Sequence, residues 1–93
     1  MNIKKRLEGI AGRCVMNGVE YTFVADFEFQ WSSRYGITNV DVDYVVDMVR
    51  VSDNYELWDD EAEAWEKEFV EQVRVGKITP FDDVILAHVE EVA

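Results

Sequence analysis

The feature that most constrains the fold of this chain is the dipeptide Asn17-Gly18, which lies between two extended runs. Both residues tolerate positive φ angles, as the type I′ turn of a two-residue hairpin requires. From Val19 to Trp31, apolar and polar residues alternate, which predicts a strand with one buried face. The turn also sets a register in which the paired residues share the apolar face: Met16 with Val19, Cys14 with Tyr21, Gly12 with Phe23, and Ile10 with Ala25.

A second alternating run, from Val40 to Val51, predicts a third strand after a loop over residues 32–39. The alternation slips after Met48, which predicts either a bulge or the end of the strand near Met48 to Arg50. Before the slip, the pattern predicts these inward residues: Val40, Val42, Tyr44, Val46 and Met48. On the outward face it predicts these valines: Val15, Val24, Val45, Val49 and Val51.

Helical spacing dominates the second half of the chain. A stripe with steps of three and four predicts an amphipathic helix that ends before Gly76, a residue typical of the position after a helix. The segment Thr79-Pro80 is typical of a helix start, and the spacing of Ile3 and Leu7 predicts a short first helix. The stripe consists of Trp58, Ala62, Trp65, Phe69 and Val73.

Together these patterns predict a single α+β domain over residues 1–93. Its elements are a three-stranded antiparallel meander at about 10–16, 19–31 and 40–51, a long amphipathic helix at about 56–75, a C-terminal helix at 80–92 and a short N-terminal helix at 2–8.

Charge is the extreme property of this sequence. Twenty Asp and Glu residues oppose nine Lys and Arg residues, which gives a net charge of −11. Such a chain repels nucleic acid and anionic lipid and attracts basic proteins. A single cysteine allows no internal disulfide, and no apolar run is long enough for a membrane span. We therefore expect a cytoplasmic protein that contacts neither nucleic acid nor membrane directly.

Few residues are suited to catalysis or metal binding. Cys14 lies on the predicted core face of the hairpin, and His88 lies on the apolar stripe of the last helix. We therefore expect neither an enzyme nor a cofactor. Asp41 and Asp43 place two carboxylates about 6.6 Å apart on one strand face, which leaves open a carboxylate metal-binding domain. The segment that follows Asp41 is not an EF-hand loop, because Val46 stands where glycine is required.

Acidic residues concentrate on the outward face of the sheet and on the long helix. On the sheet, the expected hairpin places Glu28 near Asp43 and Gln30 near Asp41, with Arg13 and Arg50 as the few neighbouring cations. Aromatic residues beside the loop could anchor a partner. The predicted partner-binding residues are Asp26, Glu28, Asp41, Asp43, Asp47, Asp59, Asp60, Glu63, Glu66, Glu71, Trp31 and Tyr35.

In size and charge the chain is similar to acidic DNA-mimic inhibitors, such as the phage inhibitors of uracil-DNA glycosylase or of restriction enzymes. This resemblance implies a protein that inhibits or modulates a basic, nucleic-acid-binding partner by presenting arrays of carboxylates, and it assigns no residue. Two alternatives remain beside the metal-binding one: a small structural or assembly protein that oligomerises through apolar surface, for example as a homodimer, and a chain whose charge serves only solubility.

Overall fold

A computed structural model describes residues 1–92 of the chain. The fold is α+β, with a curled antiparallel sheet in the order β1-β2-β3-β4. Both helices contribute side chains to the core that the sheet forms on one face. The elements are β1 (Asn2–Met16), β2 (Val19–Ser32), β3 (Gly36–Arg50), β4 (Tyr55–Glu56), α1 (Asp59–Arg74) and α2 (Asp82–Val92).

The predicted β1–β2 hairpin is confirmed. Asn17 and Gly18 have φ angles of 54° and 79°, as a type I′ turn requires. The register follows the turn, so Cys14 lies opposite Tyr21 and Gly12 lies opposite Phe23. The alternation of β2 holds along its length, and its central apolar residues are all buried: Phe23, Ala25, Phe27 and Phe29.

The predicted N-terminal helix at 2–8 is wrong, because these residues form the first half of β1. Ile3 and Leu7 pair with Trp31 and Phe27 and pack against the core. A spacing of four residues fits one face of a strand as well as one face of a helix. Here the segment forms a strand because its apolar residues pack beside those of β2. Gly9, which follows this segment, lies in a bulge of β1 with a φ of 63°.

The third strand begins at Gly36, so the expected loop over residues 32–39 shrinks to a tight turn in which Ser32 pairs with Gly36. Irregular pairing recurs along β3, and one shift lies between Val46 and Val49, where Asp47 has a φ of 55°. The predicted bulge thus exists slightly earlier than expected.

A second shift in β3 reverses the predicted sides of its central residues. Phe27 pairs with Val42, whereas Asp26 pairs with Tyr44, so one extra residue lies between them. Val45 is therefore buried, Val46 faces outward opposite Val24, and Tyr44 is 53% exposed. The meander also gains a short fourth strand, in which Tyr55 pairs with Arg50.

The two helices are shorter than predicted. α1 begins at Asp59, and Trp58, expected in its buried stripe, precedes the helix and is 63% exposed. Gly76, with a φ of 77°, follows the C-cap as predicted. Its amide donates to the carbonyl of Val73 at 3.1 Å, and the Lys77 amide donates to that of Gln72 at 2.9 Å, which is a Schellman motif. α2 begins at Asp82 instead of residue 80.

Aromatic rings fill the space between the sheet and the helices. Phe23 of β2 contacts Trp65 and Phe69 of α1, with ring centroids 6.0 and 4.7 Å away. Phe27 stacks on Phe81, which precedes α2, at 4.0 Å. Burial of these rings contributes hydrophobic stabilisation to the fold. Trp65 is a core residue, as its position in the helical stripe predicts.

Candidate functional site

The acids on the outward face of the sheet lie among cations from the first half of β1. Arg6 forms ion pairs with Asp43, with Asp26 at 3.7 Å and with Glu8 at 3.8 Å. Because Arg6 lies on β1 and Asp43 on β3, this side chain reaches across β2. Two carboxylates of the predicted array, those of Asp26 and Asp43, therefore share one guanidinium group.

Further cations continue this pattern along the same face. Lys4 lies 3.5 Å from Glu28, and Arg13 lies 3.1 Å from Glu20. The expectation that Arg13 and Arg50 are the few cations near these acids is wrong, because it depended on a helix over residues 2–8. With that segment in the sheet, the face carries interleaved charges of both signs.

The expected pairing of acids across β2 and β3 is also wrong. Glu28 lies opposite Asp41 instead of Asp43, and Gln30 lies opposite Asn39. The cause is the short turn after Ser32, which moves the register by two residues while keeping the same side chains outward.

Several acids of the α1 region are bound within the molecule. Glu71 accepts hydrogen bonds from Arg74 at 2.6 and 3.0 Å, and this guanidinium lowers the pKa of Glu71. Glu61 accepts a hydrogen bond of 2.6 Å from the Tyr55 hydroxyl, which raises the pKa of Tyr55. Glu68 accepts from Asn17 at 2.8 Å, which ties the hairpin turn to α1. These carboxylates have structural roles.

Three other acids of α1, Asp59, Glu63 and Glu66, line a groove between β3 and the start of the helix. The groove has a volume of about 370 Å³. Within residues 1–92, none of its carboxylates forms an ion pair with a lysine or arginine. We call this feature the acidic groove, and its lining residues are Val45, Val46, Asp47, Met48, Glu56, Leu57, Trp58, Asp59, Ala62, Glu63 and Glu66.

Local backbone geometry holds the aromatic side chain of the acidic groove in solvent. Trp58 has an extended conformation, with φ −132° and ψ 156°, and its carbonyl accepts from the Glu61 amide at 3.1 Å. The preceding Leu57 amide donates to the Met48 carbonyl at 2.9 Å, which fixes the segment to β3. The chain therefore enters α1 beside β3 with the indole outside the core.

The structure joins some of the predicted partner-binding residues and separates others. Asp47 of β3 meets Asp59, Glu63 and Glu66 of α1 in the acidic groove. Asp60 is exposed on α1 but does not line the groove. The others lie elsewhere: Asp26, Glu28, Asp41 and Asp43 on the outward sheet face, and Glu71 beside Arg74.

The two aromatic residues predicted for partner binding lie at the opposite end of β3 from the acidic groove. Trp31 packs partly against the core, whereas Tyr35 in the turn is 70% exposed. The Arg34 guanidinium lies 5.2 Å from the centre of the Tyr35 ring. About 30 Å of strand separates this turn from Val45, so these aromatics cannot contact a small ligand in the groove.

Sequence reasoning missed Glu56 and Leu57 as parts of the site and left Trp58 out of the predicted partner-binding residues. The helical spacing of Trp58 with Ala62 suggested burial, and only the acidic run that starts at Asp59 marked the true beginning of the helix. Acids prefer the first turn of a helix because its N-terminus carries partial positive charge.

Residues with the potential for chemistry are placed where the sequence predicted them. Cys14 is buried in the core, and burial raises the pKa of its thiol to about 11, which keeps it protonated at neutral pH. His88 packs edge-on against Phe29, with ring centroids 5.8 Å apart. Over residues 1–92, no three His, Cys, Asp or Glu side chains are arranged to hold a metal ion.

No family model matches the chain, and neither the curated proteins nor the solved structures include one with significant similarity to it. Within the described residues, neither helix has the length and apolar character needed to cross a bilayer. Any functional assignment therefore depends on the geometry of the surfaces.

Proposed function

We propose that this chain is a binding protein, not an enzyme, and that its acidic groove receives a basic segment of a protein partner. The observation that carries the proposal is the combination of unpaired carboxylates with exposed apolar surface. Asp47, Glu63 and Glu66 line the groove together with the apolar side chain of Met48 and the exposed side chain of Trp58.

The two components of the groove would act differently on a partner. Carboxylates attract a cationic segment over a distance and set its orientation, which mainly raises the association rate. Apolar contacts at Trp58 and Leu57 would supply affinity, because buried tryptophan commonly dominates the energy of an interface. We therefore expect the partner segment to combine Lys or Arg residues with at least one large apolar side chain.

Variants of the groove test this proposal. The double substitution Glu63→Gln and Glu66→Gln removes two charges from the groove, and Trp58→Ala removes its aromatic ring. Immobilised wild-type chain would capture partners from cell extract, and the captured protein would be purified and titrated against each variant. We expect about a tenfold loss of affinity or more for each, since losing an interfacial tryptophan or two charge contacts costs about 1.4 kcal/mol or more.

The matched control is Glu90→Gln with Glu91→Gln, which removes the same charge from the exposed end of α2. We expect this variant to bind like the wild type in a salt titration. Equal losses in the control and the groove variant would mean that net charge alone attracts the partner, and the assignment to the groove would then be wrong.

The narrower proposal, that the partner is a nucleic-acid-binding protein, follows from the net charge of −11. A partner that accepts these carboxylates in place of phosphates should release the chain when duplex DNA is added, and binding should weaken steeply with salt. If the complex persists in excess duplex DNA, DNA mimicry is ruled out, and the partner is a basic protein that does not bind DNA through the same surface.

A further inference from the structure

The two halves of β1 contribute differently to the fold. A bulge at Glu8 and Gly9 divides the strand into two stretches of regular pairing with β2. None of residues 2–7 is fully buried, whereas Cys14 and Met16 in the second half belong to the core. Every buried side chain of the described core therefore comes from outside residues 2–7, which we call the cover segment.

Besides its pairing with β2, two kinds of side-chain contact hold the cover segment. Ile3 and Leu7 pack against the core but are only partly buried. On the outward face, Lys4 and Arg6 form ion pairs with acids of β2 and β3. These two side chains are 65% and 41% exposed, and exposed ion pairs stabilise a fold only slightly. We therefore expect the cover segment to separate from β2 more easily than the second half of β1 does.

The edges of β1 and β2 differ in what they offer to another strand. The outer edge of β1 contains the bulge, and Lys5 lies on the same side of the strand as Leu7. A bulge and an inward charge both discourage the addition of a strand. The edge of β2 that the cover segment occupies pairs without interruption and carries three inward aromatic residues: Phe27, Phe29 and Trp31. An extended partner therefore gains more by replacing the cover segment than by adding outside it.

Separation of the cover segment would also change the charge of the outward sheet face. Within residues 1–92, Asp26, Glu28 and Asp43 form ion pairs with Lys4 and Arg6 alone. Without these two cations, the uncovered edge of β2 lies beside three unpaired carboxylates. Such a site suits an extended segment with apolar residues on one side and Lys or Arg on the other, which is the pattern of the cover segment itself.

We propose that the cover segment is displaceable and that an extended basic segment of a partner protein takes its place on the edge of β2. Main-chain hydrogen bonds to residues 27–32 attach the partner segment, and Asp26, Glu28 and Asp43 select for cations. None of these acids lines the acidic groove, so the proposal does not depend on the proposed function. The apparent affinity is lower than the intrinsic affinity, because only molecules whose cover segment has separated can bind.

Hydrogen exchange of the backbone amides in the full wild-type chain tests whether the cover segment separates locally. We expect the amides that join residues 2–7 to β2 to exchange at least about tenfold faster than those that join residues 10–16 to it. NMR spectroscopy would measure both sets in one sample. Similar exchange in the two halves would show that β1 opens as one unit and would overturn the proposal.

A fluorescent synthetic peptide with the sequence of residues 2–8 is the probe for the site. Leu7→Ser weakens the packing of the cover segment, and Ile10→Ser is the matched control, since both residues are partly buried against the core on opposite sides of the bulge. We expect the Leu7→Ser chain to bind the peptide about tenfold more tightly than wild type, and the Ile10→Ser chain to bind within about threefold of it. Fluorescence anisotropy would measure binding, and thermal melts would establish folding. Equal affinities would overturn the proposal.

Two further titrations of the Leu7→Ser chain locate the bound peptide. A peptide of the same composition in scrambled order should bind at least about tenfold more weakly, because it keeps the charge but not the strand pattern. Equal binding of the scrambled peptide would mean that net charge alone attracts the probe. Adding Glu63→Gln and Glu66→Gln should leave the affinity within about threefold. A tenfold loss would instead place the peptide in the acidic groove, which would overturn this proposal while supporting the proposed function.

Discussion

At the scale of single residues, Gly12 shows how closely the core approaches the backbone of β1. A Cβ atom at this position would lie 2.6 and 2.8 Å from two ring carbons of Phe23. That ring is 2% exposed and is held by contacts with Trp65, Phe69 and Phe81. No other residue type fits without displacing it.

We therefore expect Gly12→Ala to lower the free energy of unfolding by about 1–3 kcal/mol, the usual cost of overpacking a core. Urea denaturation would measure the change. The cost should shrink in a Phe23→Leu background, since leucine lacks the outer ring atoms that approach Gly12. An equal cost in both backgrounds would show that the ring is not the obstacle.

At the scale of elements, the sequence predicted what short-range signals determine. The Asn17-Gly18 turn and the alternation of β2 lie in adjacent residues, and the hairpin matches the structure. The first half of β1 was predicted wrongly because its pairing partner, the end of β2, lies up to 30 residues away. Because of this error, the sequence did not predict that Lys4 and Arg6 lie beside the acids of the sheet.

The bulges of β3 explain the other errors at this scale. Each extra residue reverses inward and outward positions beyond it, so Val45 was placed on the wrong face. Asp47 joins acids of α1 only because its bulge lies beside the start of that helix. Four acids of the acidic groove could therefore be predicted as partner-binding residues, but not that they meet in one place: Asp47, Asp59, Glu63 and Glu66.

The bulge at Asp47 can be tested by two substitutions. Its φ of 55° lies in the left-handed region, where β-branched residues are strained and glycine is not. We expect Asp47→Val to lower the free energy of unfolding by about 1–2 kcal/mol and Asp47→Gly to leave it within about 0.5 kcal/mol of wild type. Thermal or urea denaturation would measure both. A stabilising valine would mean that β3 continues as a regular strand.

At the scale of the whole molecule, repulsion among the acids opposes folding. Screening is substantial at about 0.1 M salt, where the Debye length is about 10 Å. We expect the melting temperature to rise with salt, by about 4–8 °C if screening restores about 1 kcal/mol. Calorimetry over a range of salt concentrations would measure this rise.

A charge variant provides the control for the salt effect. Glu63→Lys with Glu66→Lys changes the net charge from −11 to −7, because each substitution adds two units. The variant should have a smaller salt dependence than wild type. If melting temperatures instead fall with salt, the ion pairs of Arg6 and Arg13 outweigh the overall repulsion.

The long β1–β2 hairpin also sets the sequence in which the sheet assembles and opens. Met16 and Val19 meet across a two-residue turn, whereas Asn2 and Ser32 close a loop of about thirty residues. Closing a short loop costs less chain entropy than closing a long one. We therefore expect strand pairing to begin at the turn and to extend residue by residue toward Asn2 and Ser32. We expect spontaneous opening to run in the reverse order and to start at Asn2. The cationic segment that neutralises the sheet acids is thus the last part of β1 to pair with β2 and the first to separate from it.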